Sequence, residues 1–257
     1  MKIKFFTASL PSAAHPNENQ DTFFIDEKNK AAGLFDGVGG LSHGVEAAIS
    51  AAEFCKVQIP QSGLEKALKT CHLFIKEKGV KEFGREIAAV SVVCQVYSKQ
   101  TPALVIWGSA GDCRIYHLSS EGLSQESLDD SLITQALENG WLDQSKAERI
   151  NQATNLKGLN EIEKNLFKSR NVVTQALGIG VMKPRISKFK AKADDFIILT
   201  TDGVHGNLTN KEIENILKQK PPDPAKRLVE EATRVSESNS LRAKADDMTA
   251  VVIELRK

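Results

Sequence analysis

Residues 196–209 read FIILTTDGVHGNLT, and the first eight of them decide how the rest of the chain is read. Phe196 to Thr201 is an apolar, β-branched run of strand length, and Asp202-Gly203 stands where such a buried strand would emerge at the edge of a sheet. The same arrangement recurs at AAGLFDG (31–37), where the apolar run delivers Asp36-Gly37. A third buried run, TAVVIEL (249–255), follows the paired Asp246 and Asp247 after one methionine. Asp-Gly is also among the strongest hairpin signals, so either pair taken alone reads first as a plain turn.

Working outward, short strands are expected around 3–9, 22–26 and 31–35, separated by the turn-rich SAAHPNENQ (12–20). Helices follow at 44–58 and 64–83, the second marked by Leu64, Ala67, Leu68, Cys71 and Ile75 at helical spacing. Residues 87–97, 103–109 and 113–118 read as an antiparallel meander, with Gly111-Asp112 as the hairpin turn between the last two strands. In that reading Asp112 stabilises a turn rather than binding a metal.

From 129 to 177 the sequence becomes polar and helix-prone. NQATNLKGLNEIEKNLFKSR (151–170) is too poor in apolar residues for a core of its own, and suggests a flap-like subdomain lying on the main body. Beyond it, Thr209 and Glu212 form a capping-box pattern before Ile213, Ile216 and Leu217. Asp223-Pro224 opens another helix, with Ala225, Leu228, Val229, Ala232 and Val235 inward. Strand runs and helix pairs segregate instead of alternating, which predicts an α+β fold, helices packed on antiparallel sheets, in one domain over 1–257.

Composition names no partner. With 41% hydrophobic and 26% charged residues and a formal net charge of +1, no overall field attracts nucleic acid or membrane. Cys55, Cys71, Cys94 and Cys113 form no CxxC pair, so neither a zinc knuckle nor a disulfide framework is suggested. The N-terminal MKIKFFTASLP has only a short apolar stretch, and no later run approaches the roughly 18 apolar residues of a membrane span. A reduced, cytoplasmic monomer is the expectation. Neither GVGG (37–40) nor ALGIG completes a GxGxxG or supplies a P-loop lysine, so nucleotide binding is set aside.

The aspartates suit hard cations. Mg²⁺ and Mn²⁺ prefer oxygen donors, and a few carboxylates with a backbone carbonyl suffice to hold them. A glycine beside the aspartate lets that carbonyl approach. Taken jointly and in order, NQDTFFID, LFDGVGG, GSAGDCRIYHL, NVVTQALG, ILTTDGVHGNLT and KADDMTAVVIEL resemble the protein phosphatase 2C (PPM) family, especially its bacterial single-domain members. The resemblance covers nearly the whole chain.

It implies a β-sandwich of two antiparallel sheets flanked by helices, with two divalent cations, Mg²⁺ or Mn²⁺, in a cleft at one end. It places Asp21 at the acidic end of the first motif, Asp36 as the aspartate bridging both metals, Gly37 as the carbonyl ligand, and Asp202 and Asp246 as the later ligands. Asp36 and Asp202 stand at its catalytic centre. The implied reaction is hydrolysis of phosphoserine or phosphothreonine in proteins by a water held between the metals, opposing a serine/threonine kinase.

Several positions depart from the family. Gln20 replaces glutamate, Asp247 replaces asparagine, and Pro16 replaces the arginine that holds substrate phosphate, with His15 beside it as a candidate substitute. Asp129 fits one ligand of a third metal, but Gly206 stands where its partner would be. Asp130 replaces a histidine of an Asp-His pair, and His205 is a candidate proton donor. The stretch 148–171 is longer than the family's flap. These changes give weight to an alternative, a catalytically weak or inactive module that keeps the fold and binds phosphoproteins.

Overall fold

The computed structural model describes residues 1–38, 43–99 and 101–257. The last two glycines of LFDGVGG, Gly39 and Gly40, lie outside the described residues.

Ten strands form two antiparallel five-stranded sheets. One runs β1 (Lys2–Leu10), β10 (Met248–Arg256), β9 (Phe196–Thr200), β6 (Arg114–Ser119) and β7 (Gly122–Gln125). The other runs β2 (Asp21–Asp26), β3 (Ala31–Gly37), β4 (Ala89–Tyr97), β5 (Ala103–Ala110) and β8 (Arg185–Ala191). Helices α1 (Gly44–Ser62) and α2 (Leu64–Lys78), the latter continued by a π-helical turn (Gly79–Phe83), cover the second sheet. Helix α8 (Pro224–Ser236) covers the first.

Strand periodicity sorts side chains into these layers, because successive residues point to opposite faces. On β3, Ala32 and Leu34 enter the core between the sheets, where they meet Ile197, Leu199, Val251 and Ile253. Ala31 and Phe35 point the other way, against Ala47, Ala51 and Leu68 of the helices. On the opposite sheet Ile198 and Val252 pack outward onto Leu228 and Val229. Both faces of the central strands are therefore buried, which is why they read as continuous apolar runs.

The expected α+β sandwich is present, with three local refinements. Residues 103–118 do not form a hairpin: β5 pairs with β4 and β8, whereas β6 pairs with β7 and β9. Gly111 and Asp112 therefore carry the chain from one sheet to the other. Strands β7 and β8 leave no clear mark in the sequence, β7 for its four residues and β8 because RISKFKA at a sheet edge is mostly exposed.

The third point concerns 151–170, which has no core of its own but adds Leu159 and Phe167 to a small one shared across 129–177. Helices α3 (Leu132–Glu138), α4 (Gln144–Asn151) and α5 (Glu161–Lys168) enclose Ile133, Ala147, Ile150, Leu159 and Phe167. Capping compensates for the shortness of these helices. Ser131 and Asp143 accept from the backbone of the first turns of α3 and α4, and Asn160 and Glu163 form a reciprocal capping box on α5. A one-turn helix, α6 (Asp202–His205), and α7 (Asn210–Lys218) complete the chain, α7 with the predicted Thr209–Glu212 box. No helix among the described residues is long and apolar enough to cross a membrane.

Candidate metal centre

The period that places Ala32 and Leu34 between the sheets also places Asp36 there, at the end where β3 leaves the core. Asp21 is its register partner across β2, so two carboxylates face each other on adjacent strands. Asp202 enters from the other sheet, immediately after β9 and Thr201, and Asp246 from the segment before β10. Acidic ends of strands from both sheets thus converge at one end of the sandwich.

Glycine is needed at two of these junctions. A Cβ on Gly37 would run into the Gly44 backbone at the start of α1, and one on Gly203 into the Asp247 carbonyl. The Asp-Gly pairs mark close approaches between elements instead of hairpins.

A cavity of about 400 Å³ opens at this end, lined by Asp36, Gly37, Asp112, Asp202, Lys244 and Asp246 among others. Asp21 is buried behind them, 7% exposed. Its Oδ2 accepts a hydrogen bond from Thr201 Oγ1 at 2.8 Å, and its Oδ1 is buried without a partner among the described residues. Burial, and then the charges of Asp247 and Asp202, hold the Asp21 carboxyl well above the usual carboxylate range, against the hydrogen bonds that favour its anion. Asp36 is pushed up by burial and by Asp21, Asp202, Asp112 and Asp246. Asp246 is raised by burial and Asp202, against the attraction of Lys244.

Asp112 belongs to the same cluster. Burial and the charge of Asp202 raise it well above its ordinary value. The turn reading of Gly111-Asp112 missed it. The signal is present in the sequence as an acidic residue between two apolar strands, the arrangement seen at Asp36 and Asp202.

Lys244 is the second residue that sequence reasoning missed. Its Nζ donates to Asp202 Oδ2 and forms an ion pair with Asp246 Oδ2 at 2.6 Å. Burial alone would lower its pKa, but Asp202 and Asp246 raise it. Among the described residues no group of three or more acidic, histidine or cysteine side chains is arranged around a single cation position. The Asp202–Asp246 pair closes on the ammonium instead.

Asp247 has a scaffolding place. Its Oδ1 accepts from Ser12 N and its Oδ2 from Gln20 N, both at 2.7 Å. An asparagine has one acceptor oxygen and could satisfy only one of these donors without rearrangement. Gln20 in turn accepts from Gly37 N through its carbonyl at 3.0 Å.

The outer candidates are each engaged with protein groups. Both oxygens of Asp129 accept from Arg114, at 2.6 to 3.1 Å, in a buried ion pair beside Asp112, Asp202 and Gly206. Asp130 accepts from Gly111 N at 2.9 Å and Arg185 Nε at 2.8 Å, which ties the flap to the junction between the sheets. His205 is 3% exposed, hydrogen-bonded through Nδ1 to Thr200 Oγ1 at 2.8 Å. Burial, with Arg114, Lys244, Arg242 and Arg170, pushes its pKa well below the usual value, so it stays neutral. His15 lies at the rim, bonded to the Glu18 carbonyl at 2.9 Å and 3.6 Å from Asp247 Oδ1, and its pKa is raised chiefly by that carbonyl. Asn171 to Val173 of the flap line the cavity mouth.

No family model and no curated protein sequence matches the chain. Solved structures do. The serine/threonine phosphatase PstP/Ppp of Mycobacterium tuberculosis superposes with a TM-score of 0.75 over 100% of both chains, at 20% identity. A serine/threonine phosphatase of S. agalactiae gives 0.77 over 99% of this chain and 100% of its own, at 17% identity. The PstP catalytic domain in complex with two manganese ions gives 0.71 over 99% of each chain, at 18% identity. The chain has the fold of the bacterial PPM phosphatases.

Proposed function

We propose that the chain is a metal-dependent serine/threonine protein phosphatase of the PPM type, using Mg²⁺ or Mn²⁺ at the carboxylate cleft. The observation that carries this reading is the buried convergence of Asp21, Asp36, Asp112, Asp202 and Asp246 at one end of the sandwich. Like-charged carboxylates packed this way disfavour their own ionisation unless cations neutralise them.

The donor set fits such ions. Asp21 Oδ1 is a desolvated oxygen with no hydrogen-bond donor among the described residues, and an all-oxygen cluster suits a hard cation. Asp21, Asp36 and the Gly37 carbonyl would hold one, and Asp36, Asp202 and Asp246 another. Divalent ions so held supply an acidified water and neutralise the charge of a transferring phosphoryl group.

The chain's own residues do the rest. Thr201 fixes the Asp21 carboxylate, and Asp247 secures the backbone of Gln20 on the opposite wall. Val38, Val90, Val172 and Val173 line the same cavity as the carboxylates, giving a phosphorylated side chain apolar surface beside the charged groups. The relative complexed with two manganese ions supports this choice of cofactor.

A second reading, a phosphoprotein-binding module of weak or absent catalysis, is favoured by one observation: the ammonium of Lys244 on the Asp202–Asp246 pair. Release of phosphate from a phosphothreonine peptide in Mn²⁺ separates the two. Activity in the wild type that falls at least about a hundredfold in Asp36→Asn, the scale of losing a group that acts on the transition state, supports the phosphatase. No release by the wild type, or release untouched by the substitution, rejects it.

A further inference from the structure

Lys244 is held in place by more than its charge. The buried side chain of Asn207, 1% exposed, accepts from Lys244 N at 2.9 Å and donates to Lys244 O at 2.9 Å, gripping the lysine backbone from both sides. The same amide donates to Gly203 O at 2.7 Å, so the grip is built into the turn that presents Asp202. The lysine stem crosses Gly206, its Cδ 3.6 Å from where a Cβ would stand. A Cβ at 206 would run into the Asp202 carbonyl and lie in ordinary contact with that stem.

The ammonium therefore reaches Asp202 and Asp246 from a fixed base. Lysine offers a compact point charge with three donors, and two acceptors are these carboxylates. Asp36, Asp112 and Asp247 line the same cavity, and the ammonium and Asp112 attract each other. A divalent ion ligated by the same Asp202 and Asp246 oxygens cannot share that position with the ammonium.

We propose that Lys244 is a tethered cation that takes the place of one divalent ion, so that the resting chain accepts metal at the Asp21–Asp36–Gly37 end. A second ion binds between Asp202 and Asp246 only when the lysine leaves. This rests on the reading of the cleft as a cation site. A site blocked by its own chain for about nine-tenths of the time loses about tenfold in apparent affinity.

The test is equilibrium binding of Mn²⁺ to the full chain, with free Mn²⁺ counted by electron paramagnetic resonance, for wild type, Lys244→Met, Lys244→Gln and Asp36→Asn. The expected result is one ion in the wild type and two in the lysine variants, or a weaker second site tightened at least about tenfold by either substitution. Equal number and affinity in wild type and lysine variants, with binding still weakened by Asp36→Asn, overturns the role of Lys244 and leaves the phosphatase reading standing. No Mn²⁺ bound by any folded variant overturns both. Should both lysine variants fail to fold, amine-reactive labelling of Lys244 in the wild type decides. Labelling that rises as a second ion binds supports displacement, and a second ion bound with labelling unchanged overturns it.

Discussion

Asp36 shows most plainly how a single buried carboxyl can work against the stability of the fold. Its pKa is raised in the fold, so above the unfolded value its ionised form opposes folding, and the opposition eases as the carboxyl is protonated. Asp36→Asn removes that charge without changing the shape of the side chain. Metal-free Asp36→Asn is expected to gain about 1–3 kcal/mol, seen as a melting temperature a few degrees higher. On the proposed function, the rise in melting temperature on adding Mn²⁺ should shrink with it, because the variant lacks a carboxylate that would hold the ion. A melting temperature that falls, with the Mn²⁺ response intact, would place Asp36 outside the site. His205 has the opposite sign. Its folded pKa is depressed, so the unfolded state takes up the extra proton. Its contribution is full above the unfolded value of about 6.5 and is lost as pH falls below it. The stability difference between wild type and His205→Gln should be level above that pH and fall by up to about 1.4 kcal/mol per unit below it. A difference independent of pH in urea titrations would mean that His205 does not stay neutral.

Among the elements, those whose pattern is set by one buried face or by an unbroken apolar run are legible in the sequence. The runs of β3, β9 and β10 read correctly as strands, and so do the Thr209 cap and the inward stripe of α8 as helix signals. What sequence does not supply is which sheet a strand joins. β5 and β6 each carry a plausible hairpin pattern, and only the pairing of β6 with β9 shows that Gly111-Asp112 is a crossing. Taking it for a hairpin removes Asp112 from the cluster. Lys244 is hidden for a related reason: its partner Asp202 is 42 residues away, and no local pattern links them. The flap illustrates how little apolar surface a small core needs when caps and the Arg149–Glu163 ion pair assist. Phe167 is 2% exposed in that core. Phe167→Ala should lower the opening energy of the flap by about 3–5 kcal/mol, so that amides of α3 to α5 exchange faster while those of β10 keep their protection. Faster exchange throughout the molecule would show that the flap core and the sandwich unfold together.

At the scale of the whole molecule, the sandwich is an instrument for holding negative charge out of water. Between the sheets lies a dry core of Leu34, Val92, Ile115, Leu199 and Val251. Its end is closed by carboxylates drawn from β2, β3, the β5–β6 crossing, the start of α6 and the approach to β10. No single element could assemble them, and the closure of two sheets on each other brings them together. Lys244 neutralises part of this charge in the absence of metal, and a divalent ion would neutralise more.

The claim that this end of the sandwich is a cation site is tested most directly by anomalous diffraction from crystals of the wild-type chain grown in Mn²⁺. The account predicts an anomalous peak in the cleft, roughly 2.0–2.6 Å from oxygens of Asp36 and its neighbours, and a second peak beside Asp202 and Asp246 once Lys244 is replaced by methionine. Mn²⁺-saturated crystals with no peak in the cleft, and Asp36 bound only to protein groups or water, would contradict it.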